Sequence, residues 1–200
     1  MSFAPLRIVS LSVALAFAPC AAALTFTVSN GSAQIYLRVG AVGATTSTVA
    51  FNLTGSESIL GSGTPIFGAV AGSAGALSAT ETPNFPACPA NYVRIVARVR
   101  APGGNPRTAT LQVTSSGSLL HAASGSTIPF TEFGWDSDEA ADFPSGTFTG
   151  GTQVISPTLP SSRETGACHR FKFLNSQVYP ASVGGTGFYS GSVTYNLNAP

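Results

Sequence analysis

From residue 24 onward, apolar side chains recur at every second position in one segment after another, and no segment sustains a helical period. In the closing stretch Tyr189, Val193, Tyr195 and Leu197 share one parity, while Ser190, Ser192, Thr194 and Asn196 share the other. Successive side chains leave a pleated backbone on opposite sides, so a period of two marks a strand with one dry face and one wet one. With no helical segment to cover them, segments of this kind bury their dry faces against another sheet, which points the chain to all-β architectures.

The same pattern can be followed along the chain. Asn30-Gly31 is the preferred pair for a two-residue type I′ hairpin. Pairing outward from it sets Val28 opposite Ala33, Phe26 opposite Ile35 and Leu24 opposite Leu37, so turn chemistry and apolar pattern agree on one register. Val49, Phe51 and Leu53 then alternate with Thr48, Ala50 and Asn52. Residues 54–80 are rich in Gly, Ser and Ala, with isolated apolar pairs at Ile59-Leu60 and Ile66-Phe67 too interrupted for a helix and weakly patterned for strands; they read as a long loop with one or two short edge strands, or as a binding loop.

The clearest strand covers residues 92–100. Val93, Ile95, Ala97 and Val99 are set toward the core, and Tyr92, Arg94, Val96, Arg98 and Arg100 toward solvent. The turn Pro102-Gly103-Gly104-Asn105-Pro106 predicts a second hairpin, with Ala109, Leu111 and Val113 inward on the return strand. Between Ile128 and Trp135 the aromatic residues change parity, which predicts a bulge near Gly134. Residues 147–155 read as a strand kinked at Gly150-Gly151, followed by a Pro-rich loop to residue 167. Residues 168–175 place Phe171 and Phe173 on one side and Arg170 and Lys172 on the other. About nine strands with turn signals every 8–12 residues amount to a two-layer β-sandwich.

The ends of the chain bear on its compartment. Arg7, the apolar run 8–17 and Ala21-Ala22-Ala23 have the form of a secretory leader over residues 1–23, leaving 24–200 as one exported domain. Phe17, Ala18 and Pro19 fit a lipid-anchor cleavage site at Cys20 poorly. No later run approaches the roughly 18 apolar residues of a membrane-spanning helix. Loss of Cys20 with the leader leaves Cys88 and Cys168 as a pair in an oxidising compartment, where a disulfide is expected. Its loop of about 80 residues is worth on the order of 4 kcal/mol in the chain-entropy model. Both cysteines stand at the starts of their expected strands, so the bridge should join strands running the same way, facing each other across the two sheets.

Nine basic and eight acidic side chains become eight and eight without Arg7, so no net field draws the chain to nucleic acid or to an anionic membrane. Four features bear on chemistry. Arg94, Arg98 and Arg100 form a row that reads either as a solvated strand face, paired to an acidic neighbour, or as a stripe for an anionic ligand. The run EFGWDSDEAADF gathers Glu132, Asp136, Asp138, Glu139 and Asp142. Asp136, Asp138, Glu139 and Asp142 could supply oxygen ligands to Ca²⁺, or form an exposed acidic loop that meets the arginines; the spacing does not match an EF-hand. His121 and His169 are solitary, and GxSxG, HExxH and CxxC are all absent, so the chain reads as non-catalytic. Carboxylates for glycoside hydrolysis need only meet in space, so that chemistry is left open.

An export leader, a cysteine pair, a Ser/Thr/Gly-rich sandwich and the closing strand GFYSGSVTYNL together resemble the subunits of bacterial chaperone–usher fimbriae. The resemblance implies an immunoglobulin-like fold completed by a strand from a neighbouring subunit, with other fibre subunits and a periplasmic chaperone as partners. It also implies a Gram-negative source and a periplasmic or surface location. Leu24, Phe26 and Val28 have the alternation a donated strand needs, although Asn30-Gly31 folds the same segment back on its own chain. The competing reading is a self-contained extracellular binding module, for carbohydrate with calcium.

Overall fold

Strand β5 (Val93–Arg100) has both hydrogen-bonding edges occupied, and this decides much of the topology. On one side lies β1 (Gln34–Val39), on the other β12 (Glu164–Phe173), both antiparallel to it. The next segment, β6 (Thr108–Ser115), therefore cannot return beside β5, and the expected second hairpin does not form. Instead β6 is the central strand of a different sheet.

The computed structural model describes residues 34–41, 47–53, 61–72, 74–76, 86–100, 108–160, 164–179 and 188–198. The other strands are β2 (Val49–Ala50), β3 (Ile66–Phe67), β4 (Ala69–Val70), β7 (Ser118–His121), β8 (Thr127–Pro129), β9 (Phe133–Ser137), β10 (Gly146–Thr147), β11 (Thr152–Pro160), β13 (Tyr189–Ser190) and β14 (Val193–Asn198). They form a six-stranded sheet in the order β1-β5-β12-β9-β10 with β3 also on β12, a three-stranded sheet β11-β6-β14, and two smaller sheets, β13-β7-β8 and β2-β4. The protein is thus all-β with several open sheets, consistent with a β-sandwich. Among the described residues no helix is long and apolar enough to cross a membrane.

One hydrophobic cluster joins the two larger sheets. Ile95, Ala97 and Val99 of β5 belong to the same cluster as Ala109, Leu111 and Val113 of β6 and Tyr195 and Leu197 of β14. All the inward positions expected on β5 and β6 are buried. The β9 end of the cluster is aromatic: Phe130, Phe133, Trp135, Phe148 and Phe173 stand with ring centroids 4.9–5.8 Å apart. Tilted and edge-on pairs of this kind add about 0.5–1.5 kcal/mol each beyond their buried area.

Several local expectations need correction. The parity change before Trp135 is absorbed by a 3-10 turn, Phe130–Glu132, not by a bulge at Gly134. The registers of β9 with β10 and β12 run unbroken through Gly134. Gly150-Gly151 is no kink within a strand either. The chain passes there from β10 in one sheet to β11 in the other, with Gly150 at φ +79°, a conformation that glycine adopts without strain. Residues 156–160 and 164–167 are strand, not Pro-rich loop. β11 lies at a sheet edge and carries register shifts around Ser156, the setting in which a strand tolerates Pro157. The closing stretch keeps its dry face but breaks at Gly191, so that β13 joins β7 and β14 joins β6. A Cβ on Gly191 would lie 2.8 Å from the Phe130 ring.

The disulfide Cys88–Cys168 is present, with its Cα atoms 5.5 Å apart. Its placement differs from expectation. Cys88 lies in the loop before β5, and Cys168 sits within β12 directly across from Arg94. β5 and β12 are antiparallel neighbours, so the bridge does not span the two sheets. It fastens a loop onto the outer face of one sheet. Strand starts inferred from alternation misplaced both cysteines, because the loop before β5 and the first residues of β12 have no apolar alternation to mark them.

Candidate functional site

The outer face of the six-stranded sheet follows from register. Cross-strand pairing sets Tyr36 beside Arg98 and Arg98 beside Glu164, Arg38 beside Val96, Arg94 beside Cys168, Arg170 beside Asp136, and Lys172 beside Phe67. Five cations therefore share a face that the strand pattern alone marks as solvated.

It is not solvated throughout. Arg94 and Val96 are buried, the arginine with 1% of its surface exposed. The loop carrying Cys88 covers Arg94, whose Nη1 donates to Pro86 O at 2.9 Å. Its backbone N–H donates to Ala74 O and its carbonyl accepts from Gly40 N–H. Arg38 is also buried, with Nη1 donating to Gly40 O at 2.6 Å and Nη2 to Ala76 O at 3.0 Å. Burying a guanidinium is tolerated where such bonds replace hydration. Each of these arginines ties a strand face to a loop. Arg98, with 41% of its side chain exposed, forms an ion pair with Glu164 and lies 5.8 Å from the Tyr36 ring centroid. The Arg100 side chain falls outside what is described. Of the row Arg94, Arg98, Arg100, then, Arg94 is sealed and Arg98 is paired with an acid, so these two do not form an exposed stripe for an anion.

Arg170 is held differently. Its guanidinium carbon lies 3.7 Å from the centroid of Phe67 and 5.9 Å from that of Tyr92. Strand alternation placed Arg170 on this face, but no sequence signal brings Phe67 and Tyr92 to it, since they lie 103 and 78 residues earlier in the chain.

The acidic run does not converge. Asp136 pairs with Lys172, Asp138 Oδ1 accepts the Cys168 backbone N–H at 2.6 Å, and Glu139 Oε1 accepts the Ala141 N–H at 3.2 Å. Glu132 is buried and accepts from the hydroxyl of Ser176 at 2.6 Å. Asp142 is half-buried in the same turn. Among the described residues no group of three or more His, Cys, Asp or Glu side chains is arranged to hold a metal ion. Asp136 thus meets Lys172, Asp138 and Glu139 meet backbone amides, and Glu132 meets Ser176.

Both histidines are buried. His169 stacks on Trp135 at 6.0 Å, with Phe143 and Phe171 edge-on, and neither ring nitrogen has a hydrogen-bond partner. Burial in this aromatic box lowers its pKa to about 3, so the ring is neutral. His121 Nδ1 accepts the Ser124 N–H at 3.1 Å and stands 2.7 Å from Ser124 Oγ, while Nε2 is sealed without a partner. Here the contact closes the turn between β7 and β8.

The sheet edges are the other feature. Among the described residues nothing pairs with the outer edge of β1 or with that of β14. These edges belong to different sheets, yet β1 and β14 approach within 8 Å between Cα atoms. The segment holding Leu24, Phe26 and Val28 precedes β1 in the chain and lies outside the described residues. Comparison with protein families, curated proteins and solved structures finds no match to this chain.

Proposed function

We propose that the protein is an exported, non-catalytic subunit of a bacterial surface fibre, an immunoglobulin-like sandwich that joins its neighbours by strand addition. The observation that carries this reading is a pair of edges, on β1 and β14, that no other described strand fills and that approach within 8 Å between Cα atoms. A strand edge presents a row of backbone donors and acceptors, and a segment with alternating apolar side chains can fill it. Leu24, Phe26 and Val28 have that alternation and lie just before β1, so the segment can add to its own edge or reach a neighbouring copy. Low charge and a hydroxyl-rich composition suit an extracellular polymer, because little repulsion opposes contact between copies. The disulfide suits the periplasm and cell surface.

The test is the size distribution of residues 24–200 after refolding, compared with the same chain lacking residues 24–29. Higher oligomers that vanish on deletion, with the disulfide and far-ultraviolet spectrum retained, are expected. Stable monomers in both cases overturn the reading.

A further inference from the structure

The cations of the outer face differ in what holds them. Arg38 and Arg94 donate to backbone carbonyls, and Arg98 and Lys172 are paired with carboxylates. Among the described residues Arg170 has neither, although the acid directly across the strand pair is Asp136. That carboxylate pairs diagonally with Lys172, while Arg170 turns to Phe67 and Tyr92. A half-exposed ion pair and a cation–π contact are of similar worth, so stacking can displace the pair. Stacking uses the face of the guanidinium and leaves its in-plane N–H donors without acceptors. Arg170 Nε is sealed from solvent with no partner, and the half-buried side chain leaves its terminal nitrogens as the donors open to a ligand.

The aromatic platform is built into the fold. Phe67 lies in β3, paired to Lys172, and Gly68 N–H donates to Phe171 O at 3.0 Å. Asn91 Oδ1 accepts the Val70 N–H at 3.3 Å, tying β4 to the loop that carries Tyr92. That loop is in turn clamped through Cys88 to Cys168, two residues from Arg170. Phe67 nevertheless keeps 39% of its surface exposed.

The geometry points to a carboxylate-binding site at Arg170, Phe67 and Tyr92, of the kind that takes an acidic sugar such as a uronic acid. A planar carboxylate meets the end of a guanidinium through two parallel hydrogen bonds. An anion held there lies at the rim of two aromatic rings, so a ligand carrying its carboxylate on a saccharide ring adds C–H contacts that a bare ion lacks. The site is independent of how copies of the chain join.

The test is a titration of the disulfide-bonded protein, followed by the ring resonances of Phe67 and Tyr92, with D-glucuronate, D-glucose and acetate at constant ionic strength. Saturable shifts with glucuronate, none with glucose and at least several-fold weaker binding of acetate are expected. Arg170→Gln should weaken glucuronate at least tenfold, and Arg170→Lys should not restore it, because an ammonium cannot stack and bind end-on together. Asp136→Asn should tighten binding roughly threefold by removing the facing negative charge. The fold of each variant is checked by the fluorescence of Trp135, the single tryptophan. Absence of saturation, equal binding of glucose, or full binding by a folded Arg170→Gln overturns the site. Acetate binding as tightly as glucuronate overturns the saccharide assignment.

Discussion

The two faces of β5 are both buried over its first half, by opposite means. Inward, Ile95, Ala97 and Val99 share a cluster with side chains of the second sheet, and apolar area removed from water holds them there. Outward, Arg94 is covered by a stretch of its own chain, fastened by a disulfide and by hydrogen bonds to carbonyls. The first face is closed by packing that any well-shaped apolar surface could provide. The second is closed by a covalent bond and directional polar contacts, and so should open as a unit when one fastener fails.

Cutting the fastener separates the two faces most sharply. Replacing Cys88 and Cys168 together by Ser should cost on the order of 4 kcal/mol in chemical denaturation. Hydrogen exchange at the Arg94 amide should accelerate well before exchange at Leu111; equal acceleration at both would mean that the faces are not separately closed. On the inner side, Ile95→Ala should cost about 3 kcal/mol through lost burial and the cavity left behind, without hastening exchange in the Cys88 loop beyond the global change.

Acid probes a third kind of burial, at His169. Its folded pKa of about 3 lies below the ordinary 6.5, so the unfolded chain binds more protons between those values. The stability it contributes is present above pH 6.5 and is lost as pH falls toward 3, by on the order of 2–3 kcal/mol at pH 4.5. A His169→Phe chain should lose this slope in denaturation curves measured from pH 7 to 4. Next in size, Arg94→Gln should cost roughly 2 kcal/mol by removing a charge-assisted bond within the sealed face. An Arg94→Met chain as stable as the original would show that packing, and not the bond, closes the outer face. The smallest effect belongs to Glu164→Gln. Arg98 is well exposed, so solvent screening limits the pair to about 1 kcal/mol or less, measurable as the salt dependence of the unfolding midpoint.

Legibility in the sequence followed the same division. The inward sets on β5, β6 and β14 could be read directly, because burial on one face of a strand leaves a period of two. Residues 47–53 carry the same signature: alternate residues are half-buried and exposed, though only Val49–Ala50 pair as a strand. The cysteine pairing followed on the reading of residues 1–23 as a leader that removes Cys20. The covering of Arg94 could not, since a loop packed on a wet-looking face leaves no trace in the strand beneath it. Of the candidate sites, Arg98 met an acid as one reading allowed, but the acid is Glu164, 66 residues away, and no local run announces it. The aromatic neighbours of Arg170 are equally remote, and the carboxylates of Asp136, Asp138 and Glu139, close in sequence, are drawn to separate partners.

The order of residues by itself determined that this chain forms strands and which side of each is dry, because alternation is a local property; of its three cysteines, Cys88 and Cys168 were expected to pair only on the reading that Cys20 leaves with a leader. Only the tertiary structure decided which strands share a sheet, that β5 and β6 part company, and that the disulfide clamps a loop over Arg94. Those outcomes depend on competition for hydrogen-bonding edges. A strand has two edges, and which neighbours occupy them is settled by the packing of the whole chain.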